Sequence, residues 1–269
     1  GRSEFSLRAI SAFSGIVMLG FVYGLGRRAW GVTGGGIAAI FGAIHPALVY
    51  YSQEARMYMA GAMLGVILVF LGRSLLNRLY VFRDRKFCFA YVLIAAAGMY
   101  THYTFAYVLI AINLGALWWY FSEKKPNYVS QMLQWLWLQV AVVVLYAPWI
   151  TTAIRHLTTW PAERAEGAWI NAGVKMGHWL ALGPTIEVVD ALPGATIIAI
   201  LVIIGGLSEK GWFFRFWLIV PTMLTIFAGL FNESFAKFLV ICVPAVILLG
   251  SGGAAKLVKA DNVTVRVVS

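Results

Sequence analysis

The sequence predicts an all-α integral membrane protein, a polytopic bundle of about nine helical spans. Three observations carry this. Hydrophobic residues make up 61% of the 269 and charged residues 12%, about half the ~25% charged share of soluble proteins. No water-soluble core of this size hides so many apolar side chains, whereas lipid accepts the outward faces of helices. The apolar residues also gather into runs near the ~20 residues that cross a bilayer. Finally, basic residues divide unequally between alternate connections, as they do in membrane proteins.

In chain order the spans are read at Leu7–Gly26, Gly34–Tyr50, Met57–Leu76, Phe87–Tyr100, Tyr103–Phe121, Met132–Ile150, Ala191–Leu207, Phe213–Phe231 and Phe238–Ala255. The fourth is short, roughly 21 Å at 1.5 Å per residue. It must thin the bilayer or end inside the protein. Gly20-x-x-x-Gly24 and Gly61-x-x-x-Gly65 permit close helix approach. One set of connections, with the C-terminus, holds 14 of the Lys and Arg residues and the other set holds 7. The richer set reads as cytoplasmic, which leaves the N-terminus outside. The net charge of +10 is then topological and points to no nucleic-acid partner.

Cys88 and Cys242 both fall in apolar runs, so they read as packing residues, and no metal-ligand spacing exists. The chain opens at Gly1 without Met or a signal segment, and it reads as a fragment of a longer protein. Residues 1–269 read as a single transmembrane domain. Within it, 151–190 forms a long outer loop that mixes Trp160, Trp169 and Trp179 with Glu163, Arg164, Glu166, Lys175, His178 and Glu187. Aromatic and charged residues together suit the headgroup region and a loop that folds over a site. Asn232-Glu233-Ser234 has the form of a glycosylation sequon.

Chemistry concentrates in two outer turns. In the first, His45-Pro46 precedes Tyr50, Tyr51, Ser52, Gln53, Glu54, Ala55, Arg56, Met57 and Tyr58. Ionisable groups at a membrane boundary are costly unless water or a partner receives them. Arg56 suits phosphate oxygens, because its planar fork donates two parallel hydrogen bonds. Glu54 can bind a divalent cation, orient an acceptor hydroxyl or pair with Arg56. A snorkelling Arg beside a counter-charge explains the same spacing without a site. The second turn is Tyr100-Thr101-His102-Tyr103, where the imidazole can donate to phosphate or sugar oxygens or cap a helix. Lys237 stands at the mouth of the last span, within reach of a phosphate or of Glu233.

The stretch Tyr50-Tyr-Ser-Gln-Glu-Ala-Arg-Met-Tyr58 resembles the signature of the bacterial family 39 glycosyltransferases. These are relatives of dolichyl-phosphate-mannose protein mannosyltransferases and of lipid A aminoarabinose transferase, in the GT-C superfamily. Gly1–Arg8, Tyr100–Tyr103, Tyr146-Ala-Pro-Trp149 (read as a span ending) and Phe235–Phe238 with Pro244 are similar to further family elements in family order. The resemblance implies a GT-C bundle in the bacterial inner membrane. It would move a sugar from a polyprenyl-phosphate donor to a protein, lipid or glycan hydroxyl at the outer face, with inversion at the anomeric carbon. Glu54 would be the catalytic carboxylate of this chain. Tyr51, Gln53, Arg56, Tyr58, His102, Tyr103 and Lys237 would bind substrate. No cofactor is implied beyond an optional divalent cation. The family's key Asp lies in a first outer loop that precedes the point matched by Gly1, and its late Arg-Tyr is Lys237-Phe238 here.

Two other functions fit a polytopic membrane protein. A transporter for a lipid-linked substrate would place ionisable groups near the bilayer midplane, whereas here nearly all lie at span ends. A catalytically silent subunit of a membrane complex would share the fold without the base.

Overall fold

The computed structural model describes residues 4–77, 81–123, 127–159, 169–186, 188–230 and 233–268, and their regular elements are all helical. The first, α1 (Glu4–Ile44), is two helices joined at Gly31, where φ is 81° and ψ −173°. A residue with a Cβ is strained in that conformation. The two arms turn back on one another. A Cβ on Gly26 would stand 3.0 Å from the Ala38 Cβ, and one on Gly42 would stand 2.6 Å from Leu19. The first two expected spans therefore form a hairpin whose arms approach through glycine.

His45, extended at φ −65° and ψ 120°, breaks the second arm from α2 (Pro46–Ser52), which Pro46 starts at its first turn. There the missing N–H of proline costs nothing. Next come α3 (Tyr58–Leu76), α4 (Arg85–Thr101), α5 (Phe105–Glu123) and α6 (Tyr128–Thr159). They are followed by α7 (Trp169–Leu182), α8 (Val188–Gly206), α9 (Trp212–Phe227) and the short α10 (Glu233–Ala236). A 3-10 segment, Lys237–Cys242, leads into α11 (Val243–Val268). Each of the nine expected spans overlaps one of these helices, though Gly34–Tyr50 crosses the break at His45 and α9 ends at Phe227. Among the described residues five helices are long and apolar enough to cross a membrane, or six if the α8–α9 pair, bent by 102°, is one broken span. The short expected span is α4, with 17 residues.

Burial sets the architecture. In the most apolar 18-residue stretch of Lys237–Ala260, 94% of the residues are buried, against 22% in that of Tyr128–Thr159, so the last span is the central post and α6 stands at the rim. Helix α8 lies against this post almost backbone to backbone: a Cβ on Gly205 would collide with the Leu249 carbonyl, and one on Gly253 with that of Leu201. Small residues make such contact possible where no hydrophobic effect drives association. Gly61 and Gly65 likewise face Ile241, but Gly20 has nothing within 4 Å. A Cβ on Gly24 would meet the Phe70 ring at 3.7 Å, and the close approach within α1 passes through Gly26 and Gly42.

The structure corrects one element boundary. Pro148 lies inside α6, which runs on to Thr159, so Tyr146-Ala-Pro-Trp149 does not end the helix. Proline removes only one helical hydrogen bond, and α6 continues past it; at its end two threonines also bond back to carbonyls of the preceding turn. Thr158 Oγ1 donates to the Ile154 carbonyl at 2.9 Å and Thr159 Oγ1 to that of Arg155 at 2.7 Å. Much of the expected outer loop is therefore helix, the end of α6 and all of α7. Trp160, Glu163, Arg164, Glu166 and Glu187, with Gly1–Ser3 and Asn232, lie outside the described residues.

Candidate functional site

Two corners of the bundle supply the site. The α2–α3 corner begins at His45, whose Nε2 donates to the Leu180 carbonyl at 3.1 Å. This bond holds the end of α7 against the break. Gln53 closes α2, its N–H donating to the Tyr50 carbonyl at 3.1 Å. Farther along, Ser11 Oγ of α1 donates to the Arg56 carbonyl at 3.2 Å, which pins the turn to the first arm. The α4–α5 corner turns at His102. Its N–H bonds the Gly98 carbonyl at 3.2 Å to end α4. The Phe105 ring fills the space a side chain at Gly98 would need.

Aromatic contacts join the corners. The rings of Tyr51 and Tyr58 meet edge to face at 5.4 Å. Tyr58 lies 6.1 Å from the His102 ring and 6.4 Å from Phe238, and His102 lies 4.7 Å from Phe238. Lys237 sets its Nζ 5.9 Å from the centre of the Tyr58 ring, within cation–π range. Tyr103 faces His102 on one side and stacks on His156 of α6 on the other, at 6.3 Å.

Polar groups attach to this floor. Arg56 is fully exposed and donates to Tyr58. That hydrogen bond, then the charges of the Tyr58 and Glu54 oxygens, raise the guanidinium pKa further, so Arg56 is always cationic. The Tyr50 hydroxyl donates to the Glu54 carboxylate. Burial first, then the Glu54 charge, pushes the Tyr51 hydroxyl well above its ordinary value, so it stays a neutral donor. His102 is lowered to about 4, by burial first and then by the Lys237 charge, and is neutral at physiological pH. The Thr104 N–H donates to its Nδ1 at 3.2 Å. An amide can only donate, so the neutral ring carries its proton on Nε2.

Of the residues singled out from sequence, Tyr51, Tyr58, His102 and Lys237 form one cluster, with Arg56 and Glu54 on its exposed rim and Tyr103 behind His102. Gln53 is exposed at the end of α2, outside the ring contacts. Sequence reasoning missed Phe238 as the shared wall and His156 behind Tyr103, whereas Trp179, read in the loop expected to fold over a site, has its ring 6.2 Å from Tyr51. No local signal marks His156. It reaches the site only because α6 continues past Pro148. Among the described residues no group of three metal-binding side chains occurs.

Beside the cluster, two apolar cavities flank α7, of about 260 Å³ and about 340 Å³. Both border Ala181, Ile198 and Val246. His45 and Pro46 line the first and His178 the second. The arrangement offers fixed cations, neutral donors and one carboxylate at a helix-end surface, with apolar space alongside.

No family model matches the chain, and no curated protein sequence matches it. Among solved structures it is similar to ArnT from Cupriavidus metallidurans in the apo state, with a TM-score of 0.63 at 15% identity. The similarity covers 92% of this chain and 44% of that one, so the chain spans less than half the length of its structural neighbour. The shared feature is the fold, a polytopic bundle of membrane helices.

Proposed function

We propose that this chain is the membrane-embedded part of a glycosyltransferase that takes a sugar from a polyprenyl-phosphate donor and gives it to a hydroxyl acceptor at the outer membrane face. What supports the reading above all is the convergence of Arg56 and Lys237 on one tyrosine, Tyr58, with His102 beside it. Two cations and a neutral Nε2–H donor are what a leaving phosphate requires as its charge develops. The GT-C fold and the family 39 resemblance of the Tyr50–Tyr58 stretch point the same way.

In this scheme Arg56 engages the donor phosphate by its fork, and Lys237 adds a point charge. The apolar space along α7 receives isoprenoid carbons. The acceptor oxygen forms a bond to the anomeric carbon as the bond from that carbon to the phosphate oxygen breaks. The acceptor proton passes to a carboxylate, and the phosphate leaves with the electron pair. Glu54 orients the acceptor, or a divalent cation, at the rim.

The test is sugar transfer by the full-length protein in proteoliposomes supplied with polyprenyl-phosphate sugars. Arg56→Ala is expected to lower turnover about 10²- to 10³-fold while membrane insertion persists. Unchanged turnover would remove Arg56 from the mechanism, and lipid-linked substrate crossing the bilayer unmodified would make the protein a transporter.

A further inference from the structure

Fifteen residues beyond Tyr58, about 22 Å along the same helix at 1.5 Å per residue, α3 carries a second cationic feature that sugar transfer does not use. The Cζ of Arg73 lies 5.1 Å from the centre of the Phe214 ring, and its Nη1 is buried with no hydrogen-bond partner. Next to it, Arg28 of α1 donates from Nη1 to Ser74 Oγ at 2.9 Å and lays its Cζ 3.8 Å from the centre of the Phe70 ring. The charge that acts on Arg73 is the like charge of Arg28.

Two guanidinium groups close enough to feel each other's charge repel, and a buried N–H without an acceptor is costly. An anion offering several oxygens relieves both. The aromatic faces of Phe70 and Phe214 fix the two planes, and planar forks suit a tetrahedral phosphate. The place also matters, since Arg28 and Arg73 stand at helix ends on the side read as cytoplasmic from its basic residues. In that leaflet anionic headgroups accumulate, and basic pockets between helices retain them.

We propose that Arg73 and Arg28 form a binding site for the phosphate of an anionic membrane lipid, at the opposite end of α3 from Tyr58. Free inorganic phosphate offers the same chemistry, but a site at a helix end on the membrane border favours the lipid.

The test is native mass spectrometry of the full chain in detergent, titrated with phosphatidylglycerol and with phosphatidylcholine of the same acyl chains. Wild type is expected to retain phosphatidylglycerol preferentially. Arg73→Gln is expected to weaken that binding about fivefold, the equivalent of the ~1 kcal/mol that one basic side chain contributes at a lipid surface. Arg28→Gln, at an exposed position, is expected to do the same, and it keeps the test alive if Arg73→Gln fails to fold. Equal retention of the two lipids by wild type, or undiminished preference in the variants, overturns the proposal. Displacement of phosphatidylglycerol by millimolar inorganic phosphate, with phosphate bound to delipidated protein, reassigns the site to the free ion.

Discussion

Gly183 lies so close to Ala47 that a Cβ on it would stand 2.6 Å from the Ala47 backbone nitrogen, and its φ of +72° is one that side chains disfavour. It follows α7 directly and sits beside the bond from His45 to Leu180. Together they fix α7 to the corner that carries Tyr51. Gly183→Ala should therefore cost about 1–3 kcal/mol in backbone strain and lost docking. Thermal unfolding in detergent measures this, and a wild-type midpoint in the variant would show that α7 is held in some other way.

His102 gives the site a pH signature. Its ordinary value of 6.5 falls to about 4 in the folded protein, through burial and then the Lys237 charge. As pH drops through 6.5 the unfolded chain takes up this proton, while the folded protein does so only near 4. The folded state thus binds fewer protons, so this contribution is full above 6.5 and declines from there down to 4. His102→Gln should flatten the acid slope of the melting midpoint. Lys237→Met should move the imidazole titration upward without restoring 6.5, since burial is the larger cause. An imidazole already titrating near 6.5 in wild type would contradict both expectations.

The α4–α5 corner depends on the absence of a side chain at Gly98. A methyl group there would collide with the Phe105 ring, so Gly98→Ala should cost about 1–3 kcal/mol by overpacking and displace His102. Reduced thermal stability, with the loss restored by the second change Phe105→Leu, would identify this contact as the cause. An unaltered midpoint for Gly98→Ala alone would refute it.

Tyr58→Phe keeps the ring and removes only the hydroxyl that accepts from Arg56. Stability should change by about 1 kcal/mol or less. Sugar transfer by the full-length protein should fall less than in Arg56→Ala, because the guanidinium remains but loses its support. A larger fall than in Arg56→Ala would mean that the hydroxyl itself touches substrate.

The bundle was legible in the sequence because apolar runs and basic asymmetry report directly on lipid. The residues that gather at the two corners stood out too, since Glu54, Arg56 and His102 are unusual at span boundaries. Their companions were less visible, for physical reasons. The tie from His45 to Leu180 joins segments 135 residues apart, and no local pattern encodes it. Proline often ends a helix, but here α6 runs on past Pro148 and carries His156 up to Tyr103. Phe238 reads locally as one more apolar residue at the start of a span. Only the 3-10 winding of Lys237–Cys242 and the fold around it turn that ring toward Tyr58 and His102.

The hairpin at Gly31 bears on how the protein is made. Its arms touch through Gly26 with Ala38 and Leu19 with Gly42, pairs that leave the ribosome almost together, so the loop-closure entropy is small. This unit can close as soon as it is synthesised, before Leu180 is available to His45. Leu180 emerges 135 residues after His45, so α7 docks onto a hairpin that is already closed.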